Sequence, residues 1–127
     1  MKFLTFNAAI LIGFLLCGCN QSQKHIADGY HLERFDEGGT SFYVTAPGTS
    51  INGGGVFDGT VHEIGWNNDW ILARVTRLYH GDTNGWYLLN LKTAQITGPI
   101  PVDDLKANPT FSHIKTAPSA TVFSDGQ

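Results

Sequence analysis

From Tyr30 onward, apolar and polar residues alternate in short runs broken by Gly, Asn and Asp, the period-two signature of half-buried strands joined by turns. The runs predict strands near Tyr30–Phe35, Ser41–Ala46, Thr60–Trp66, Trp70–Tyr79, Trp86–Lys92 and Gln95–Thr97. Trp70–Tyr79 carries the clearest alternation. Ile71, Ala73 and Val75 fall on one face, while Trp70, Leu72, Arg74, Thr76 and Leu78 fall on the other, so the first face is the more apolar. Asn67-Asn68-Asp69, Gly81-Asp82-Thr83-Asn84-Gly85 and Lys92-Thr93-Ala94 supply residues suited to tight reversals, which makes neighbouring strands antiparallel. Pro99 and Pro101 lack the N–H a ladder needs and end the last pairing. Pro101–Ala107, with Asp103 and Asp104 early and Lys106 late, reads as one short helix. The expected fold is mainly β: one small antiparallel meander of about five to six strands with a short C-terminal helix. Residues 30–116 form that domain, and 117–127 are a flexible tail, of which Val122 and Phe123 are the residues able to dock back onto the sheet.

The chain ahead of the meander has a different character. Lys2 precedes a mostly apolar run from Leu4 to Leu16, shorter than the roughly 20 residues a spanning helix requires, which reads as a cleaved export signal. The run ends in Leu16-Cys17-Gly18-Cys19, which resembles the lipobox of bacterial lipoproteins. Cleavage before Cys17 would set bulky Leu16 at the cut, whereas cleavage before Cys19 sets small Gly18 there. The resemblance therefore implies a signal peptide over 1–18, palmitate-type acyl chains on Cys19, and a membrane as first partner. Cys17 leaves with the signal and Cys19 becomes a thioether. With 2 Cys in the sequence, no free thiol survives for a disulfide, a nucleophile or a thiolate metal site. Residues 19–29 read as a polar tether reaching at most about 35 Å. Asn20 behind the lipidated residue implies, by analogy with enteric-type bacteria, the outer membrane facing the periplasm.

Three segments of the meander, Ile64-Gly65-Trp66-Asn67-Asn68-Asp69-Trp70-Ile71-Leu72-Ala73-Arg74, Gly85-Trp86-Tyr87-Leu88-Leu89-Asn90-Leu91-Lys92-Thr93 and Thr97-Gly98-Pro99-Ile100, resemble a family of small bacterial lipoproteins and secreted proteins of unknown function. The likeness covers about Tyr30 to Leu105 and implies no activity. Single blades of β-propellers share this pattern, but one copy in 127 residues excludes a closed propeller.

Composition narrows the chemistry. At 127 residues and 42% hydrophobic, the chain holds one small core. Its 8 Lys+Arg against 11 Asp+Glu lack the cationic excess of a phosphate-binding surface, so nucleic acid is not an expected partner. Asn52-Gly53-Gly54-Gly55 lacks the Lys-Ser or Lys-Thr of a phosphate loop and reads as a turn. His80-Gly81-Asp82 begins like half of a calcium loop, but Leu91 stands where the bidentate Glu belongs. His25, His31, His62, His80 and His113 have no metal-ligand spacing, and His62 and Glu63 point to opposite faces unless a bulge intervenes. Ser41, Ser119 and Ser124 lack the glycines of a nucleophile elbow, and no signature pairs two acids for glycan cleavage. No cofactor and no metal are expected. The surplus is aromatic: Trp66, Trp70, Trp86 and Tyr87 are the candidate binding residues, the same rings being equally suited to completing a small core.

The resulting expectation is a lipid-anchored cell-envelope protein, not an enzyme, that acts by binding a protein or an envelope glycan. An inhibitor or immunity lipoprotein is the alternative, although this chain lacks the disulfide and Ser-Gly-x-x-Tyr loop of small lysozyme-inhibitor lipoproteins. An envelope glycan hydrolase is the further alternative, and it requires acids and histidines to converge from separate strands. Intact-mass measurement of the membrane fraction is expected to show a diacylglyceryl adduct that disappears in Cys19→Ser; an unmodified wild-type protein cleaved elsewhere would refute the assignment.

Overall fold

Asparagine side chains set two of the reversals. Asn67 Oδ1 accepts from the N–H groups of Asp69 and Trp70 at 2.9 Å each. Asn90 Oδ1 accepts from Lys92 and Thr93 at 2.9 and 3.2 Å, while Ala94 takes a positive φ of 64°. The structure, a computed structural model, describes residues 22–49, 54–77 and 83–125. Over these residues it is mostly β, with two antiparallel sheets of 3 and 5 strands and three short helices. The first sheet has the order β1-β2-β3, from β1 (Gln23–Ala27), β2 (Tyr30–Phe35) and β3 (Ser41–Thr45). The second sheet is built from β4 (Gly59–Trp66), β5 (Trp70–Arg77), β6 (Gly85–Asn90), β7 (Ile96–Ile100) and β8 (Ala117–Pro118). Its order is β7-β6-β5-β4-β8, so β4 to β7 form a meander. The helices are α1 (Val102–Ala107), α2 (Pro109–Ser112) and α3 (Ser119–Ser124).

The mainly antiparallel β architecture agrees with the sequence, but its layering is richer than one meander and one helix. Residues 23–27, expected within the tether, form β1, pairing with β2 from Gln23↔Glu33 to Ala27↔Tyr30. Their polarity hid the strand, because β1 is an edge whose first residues are largely solvated. The expected flexible tail is likewise folded: β8 pairs with β4, and α3 buries Ser119 and Phe123. Ser119 Oγ donates to the Val61 carbonyl at 2.8 Å, and Phe123 packs on Phe42 with ring centroids 5.6 Å apart. Pro99 lies inside β7 instead of ending it. An edge strand has no outer neighbour to receive the missing N–H, and Ile100 still pairs with Trp86. The signal segment, Cys19, Leu78 and Tyr79 lie outside the described residues.

The two sheets face each other over one core. Tyr30, Leu32, Phe42 and Val44 from the first meet Val61, Ile64, Ile71, Ala73, Val75, Tyr87 and Leu89 from the second, with Phe57 and Phe123 between them. The opposite face of the second sheet carries a smaller cluster, in which α1 and the segment after α2 lay Leu105 and Ile114 over Leu72 and Leu88. Gly65 makes that cover possible, since a Cβ there would collide with the Lys115 carbonyl oxygen. The layers therefore run sheet, sheet, helices. Arg77 closes the end of β5: its guanidinium lies 3.0 Å from Asp58 and 5.3 Å from the centroid of the Tyr87 ring.

This register makes a sharp contrast testable by thermal melting. Val75→Asp places an unpaired charge at a position 1% exposed and is expected to remove about 4 kcal/mol or more. Arg74→Ser breaks only the surface ion pair to Glu63 and is expected to change stability by less than about 1 kcal/mol. Equal melting shifts for the two would show the strand register to be wrong.

Candidate functional site

The four candidate aromatics do not form one patch. Tyr87 is 2% exposed, and its hydroxyl donates to the Thr83 carbonyl, so it is a core residue. Trp70 and Trp86 are half-buried on the helix-covered face, where Trp70 meets Phe111 edge-to-face at 5.1 Å. Trp66 is half-buried on the inter-sheet side. The period-two rule separates them: Trp66 pairs with inward Ile71, while Trp70 and Trp86 share the outward parity of Leu72. Trp86 also lines a groove of about 170 Å³ with Leu72, Val102, Leu105, Phe111 and Ile114, open between the sheet and α1.

Trp66 walls a cleft of about 520 Å³ at the end of the sandwich where the β1–β2 turn meets the β4–β5 turn. Ile26, Ala27 and Leu91 contribute apolar surface, and His25, Asp28, Asn67, Asn68 and Lys92 contribute polar groups. Each turn is held from within. Asp28 adopts a positive φ of 51° before Gly29, whose N–H donates to His25 Nε2 at 3.3 Å. The Asn67 carbonyl oxygen is consumed by its own turn, which leaves its NH₂ as the group to offer a ligand. The β4–β5 turn is tied to the β6–β7 reversal, since the Leu91 N–H donates to the Asp69 carbonyl at 2.9 Å. His25 and Asp28 escaped the sequence reading because they fell within the expected tether. Asp28-Gly29, a turn dipeptide between two short apolar runs, is the signal that marks them.

The bulge that His62 and Glu63 needed is present. The ladder passes from Val61↔Val75 to Glu63↔Arg74 with His62 unpaired between them, so both side chains reach the solvent side of the sheet. His62 Nε2 lies 2.8 Å from Thr76 Oγ1, and Glu63 engages the Arg74 Nε at 2.9 Å. Burial lowers the His62 pKa, the Arg74 cation lowers it further, and Glu63 offsets part of this. At neutral pH, His62 is an uncharged hydrogen-bonding group. Its carboxylate neighbour is occupied by an arginine, and the nearby Ser119 hydroxyl proton is committed to the Val61 carbonyl.

Other candidates fall where the sequence placed them or outside the described residues. Gly54 and Gly55 have φ of 100° and 75° and form a turn lying against β3, with Val56 N–H donating to the Val44 carbonyl at 2.8 Å. Asn52, Gly53, His80 and Asp82 are outside the described residues. Among the described residues, no group of three or more His, Cys, Asp or Glu is placed to hold a metal, and no helix is long and apolar enough to cross a membrane. Comparisons with family models, with curated proteins and with solved structures find no match for this chain.

The lowered His62 pKa has a definite sign in stability. The unfolded chain takes up a proton near the ordinary value of 6.5, before the folded site does, so protonation favours unfolding and stability is lost as pH falls below that value. His62→Gln keeps a hydrogen-bonding group and removes this titration. The melting temperature of wild type minus that of His62→Gln is expected to fall between about pH 7.5 and 5.5; a constant difference would contradict it.

Proposed function

We propose that this chain is a lipid-anchored protein of the cell envelope that works by binding, and that the Trp66 cleft is its contact site. The observation that carries the reading is the cleft itself. Its volume of about 520 Å³ falls in the range of ligand sites, about 300–1,000 Å³. An indole wall stands beside amide, carboxylate and ammonium groups borne on turns. An indole face with amide and carboxylate partners suits the apolar face and hydroxyl rim of a sugar ring, or a peptide loop with one apolar side chain. The anchor is the acylated Cys19, with 1–18 removed as the signal and the outer membrane, facing the periplasm, as its location. Kinship with the small lipoproteins named above belongs to the same proposal.

The non-catalytic character is part of the proposal and rests on how the titratable groups are occupied. His62, Glu63, Arg74 and Thr76 satisfy one another on the sheet surface. Substitution in cells tests the reading directly. Trp66→Ala and the cleft-filling Asn68→Arg are expected to weaken partner capture by about 30-fold or more, the scale of a binding hot spot. His62→Ala is expected to leave complementation unchanged. Loss of function in stable His62→Ala, with Trp66→Ala and Asn68→Arg both active, would replace the binding reading with a catalytic one.

A further inference from the structure

The folded domain begins almost at the anchor, and that fixes which end of it meets the membrane. Ser22 is already bonded to the first sheet, its carbonyl accepting the Arg34 N–H at 2.8 Å, and β1 starts at Gln23 opposite Glu33. Only Asn20 and Gln21 separate Cys19 from Ser22, and the three chain steps between them span at most about 11 Å when fully extended. An acyl chain on Cys19 therefore keeps the Gln23 end of the sandwich beside the bilayer and leaves no long tether on which the domain can turn over.

What stands at that end fits a lipid surface. Phe35, the last residue of β2, follows the Arg34 that bonds Ser22, and it is one of the few large apolar side chains left in solvent, 42% exposed. The β2–β3 turn lies alongside. At the same end α3 packs against both sheets: Phe123 packs on Phe42, the Arg34 guanidinium sits 5.1 Å from the Phe123 ring centroid, and Lys24 Nζ donates to the Asp125 carbonyl. A smaller cleft of about 340 Å³ opens beside it, lined by Thr40, Phe42, His62 and Ser119. The opposite end holds the Trp66 cleft. β1 runs from Gln23 to Ala27, so Asp28 on the cleft lies roughly 16 Å farther along the strand than Gln23, at about 3.3 Å per residue.

We propose that the Phe35 end of the sandwich rests on the bilayer, with the Phe35 ring in the headgroup boundary, and that the Trp66 cleft consequently opens away from the membrane. The inference rests on acylation of Cys19. Its chemistry is apolar, because the charges at this end, Lys24 and Arg34 against Asp36, Glu37 and Asp125, leave a net negative rim that gains nothing from anionic lipids. Seating is therefore indifferent to anionic lipid and to salt.

The processed, lipidated protein can be tested in phosphatidylcholine vesicles carrying a headgroup nitroxide quencher. Because Cys17 is lost and Cys19 is blocked, Glu37→Cys and Asn68→Cys each give one site for a fluorophore, with Thr40→Cys and Lys92→Cys as a second pair. Quenching is expected to be at least threefold stronger at 37 than at 68 and at 40 than at 92, unchanged by added phosphatidylglycerol, and reduced at 37 by Phe35→Ser. Equal quenching within both pairs, or stronger quenching at 68 and 92, in a protein whose mass carries the diacylglyceryl adduct overturns the orientation and leaves the anchor standing. A mass without the adduct overturns the anchor and this inference with it.

Discussion

Ile71, Ala73 and Val75 project from β5 into the space between the sheets while Leu72 projects the other way, and none of the four is more than 5% exposed. A strand dry on both faces needs two covers, and each fully buried aliphatic side chain gains about 1.5–3 kcal/mol from its cover. The first sheet supplies one. The helices after β7 supply the other, which is why α1 and the turn to β8 cross Leu72, Leu88 and Gly65 instead of trailing into solvent. The C-terminal segment then returns to β4, and α3 finishes the inter-sheet core with Phe123.

Polar chemistry is confined to what those covers leave open. On the outer face of the second sheet, the helices stop short of the β4–β5 pair's far half, and there Thr76, Glu63, Arg74 and the bulged His62 face water. A bulge at this place serves the sheet as much as any chemistry, since it restores Val61 and Ile64 to the core side although two residues separate them. The lowered His62 pKa has the same origin: partial burial beside an arginine favours the neutral ring.

The two ends of the sandwich differ for a related reason. One is packed by α3 beside the start of β1 and keeps a cleft of about 340 Å³ against β3 and β4, whereas at the other the β1–β2 and β4–β5 turns leave a gap of about 520 Å³ with Trp66 as its wall. A rigid rim on a small sheet suits recognition, because little conformational freedom is lost when a partner is bound. Under the proposed acylation of Cys19, anchor and cleft stand at opposite ends of one short strand, and a membrane-held copy would present its cleft outward.

The alternation from Tyr30 to Thr97 determined the strands, their antiparallel order and the inward set Ile71, Ala73 and Val75, because a pleated strand converts parity directly into facing. Asn67-Asn68-Asp69 and Lys92-Thr93-Ala94 determined the reversals through side chains that bond the adjacent backbone, and Pro101–Ala107 its helix through local end chemistry. Leu16-Cys17-Gly18-Cys19 resembles a motif read by processing enzymes, and the proposed anchor rests on that sequence alone. Only the tertiary structure decided what depends on distant partners. Gln23–Ala27 is a strand because β2 offers it an edge, and Ser119–Ser124 is ordered because Val61 and Phe42 receive Ser119 and Phe123. Trp66 borders a cleft while Tyr87 is sealed in the core because the first sheet covers one and stops short of the other, a fact of where two sheets end that no local pattern encodes.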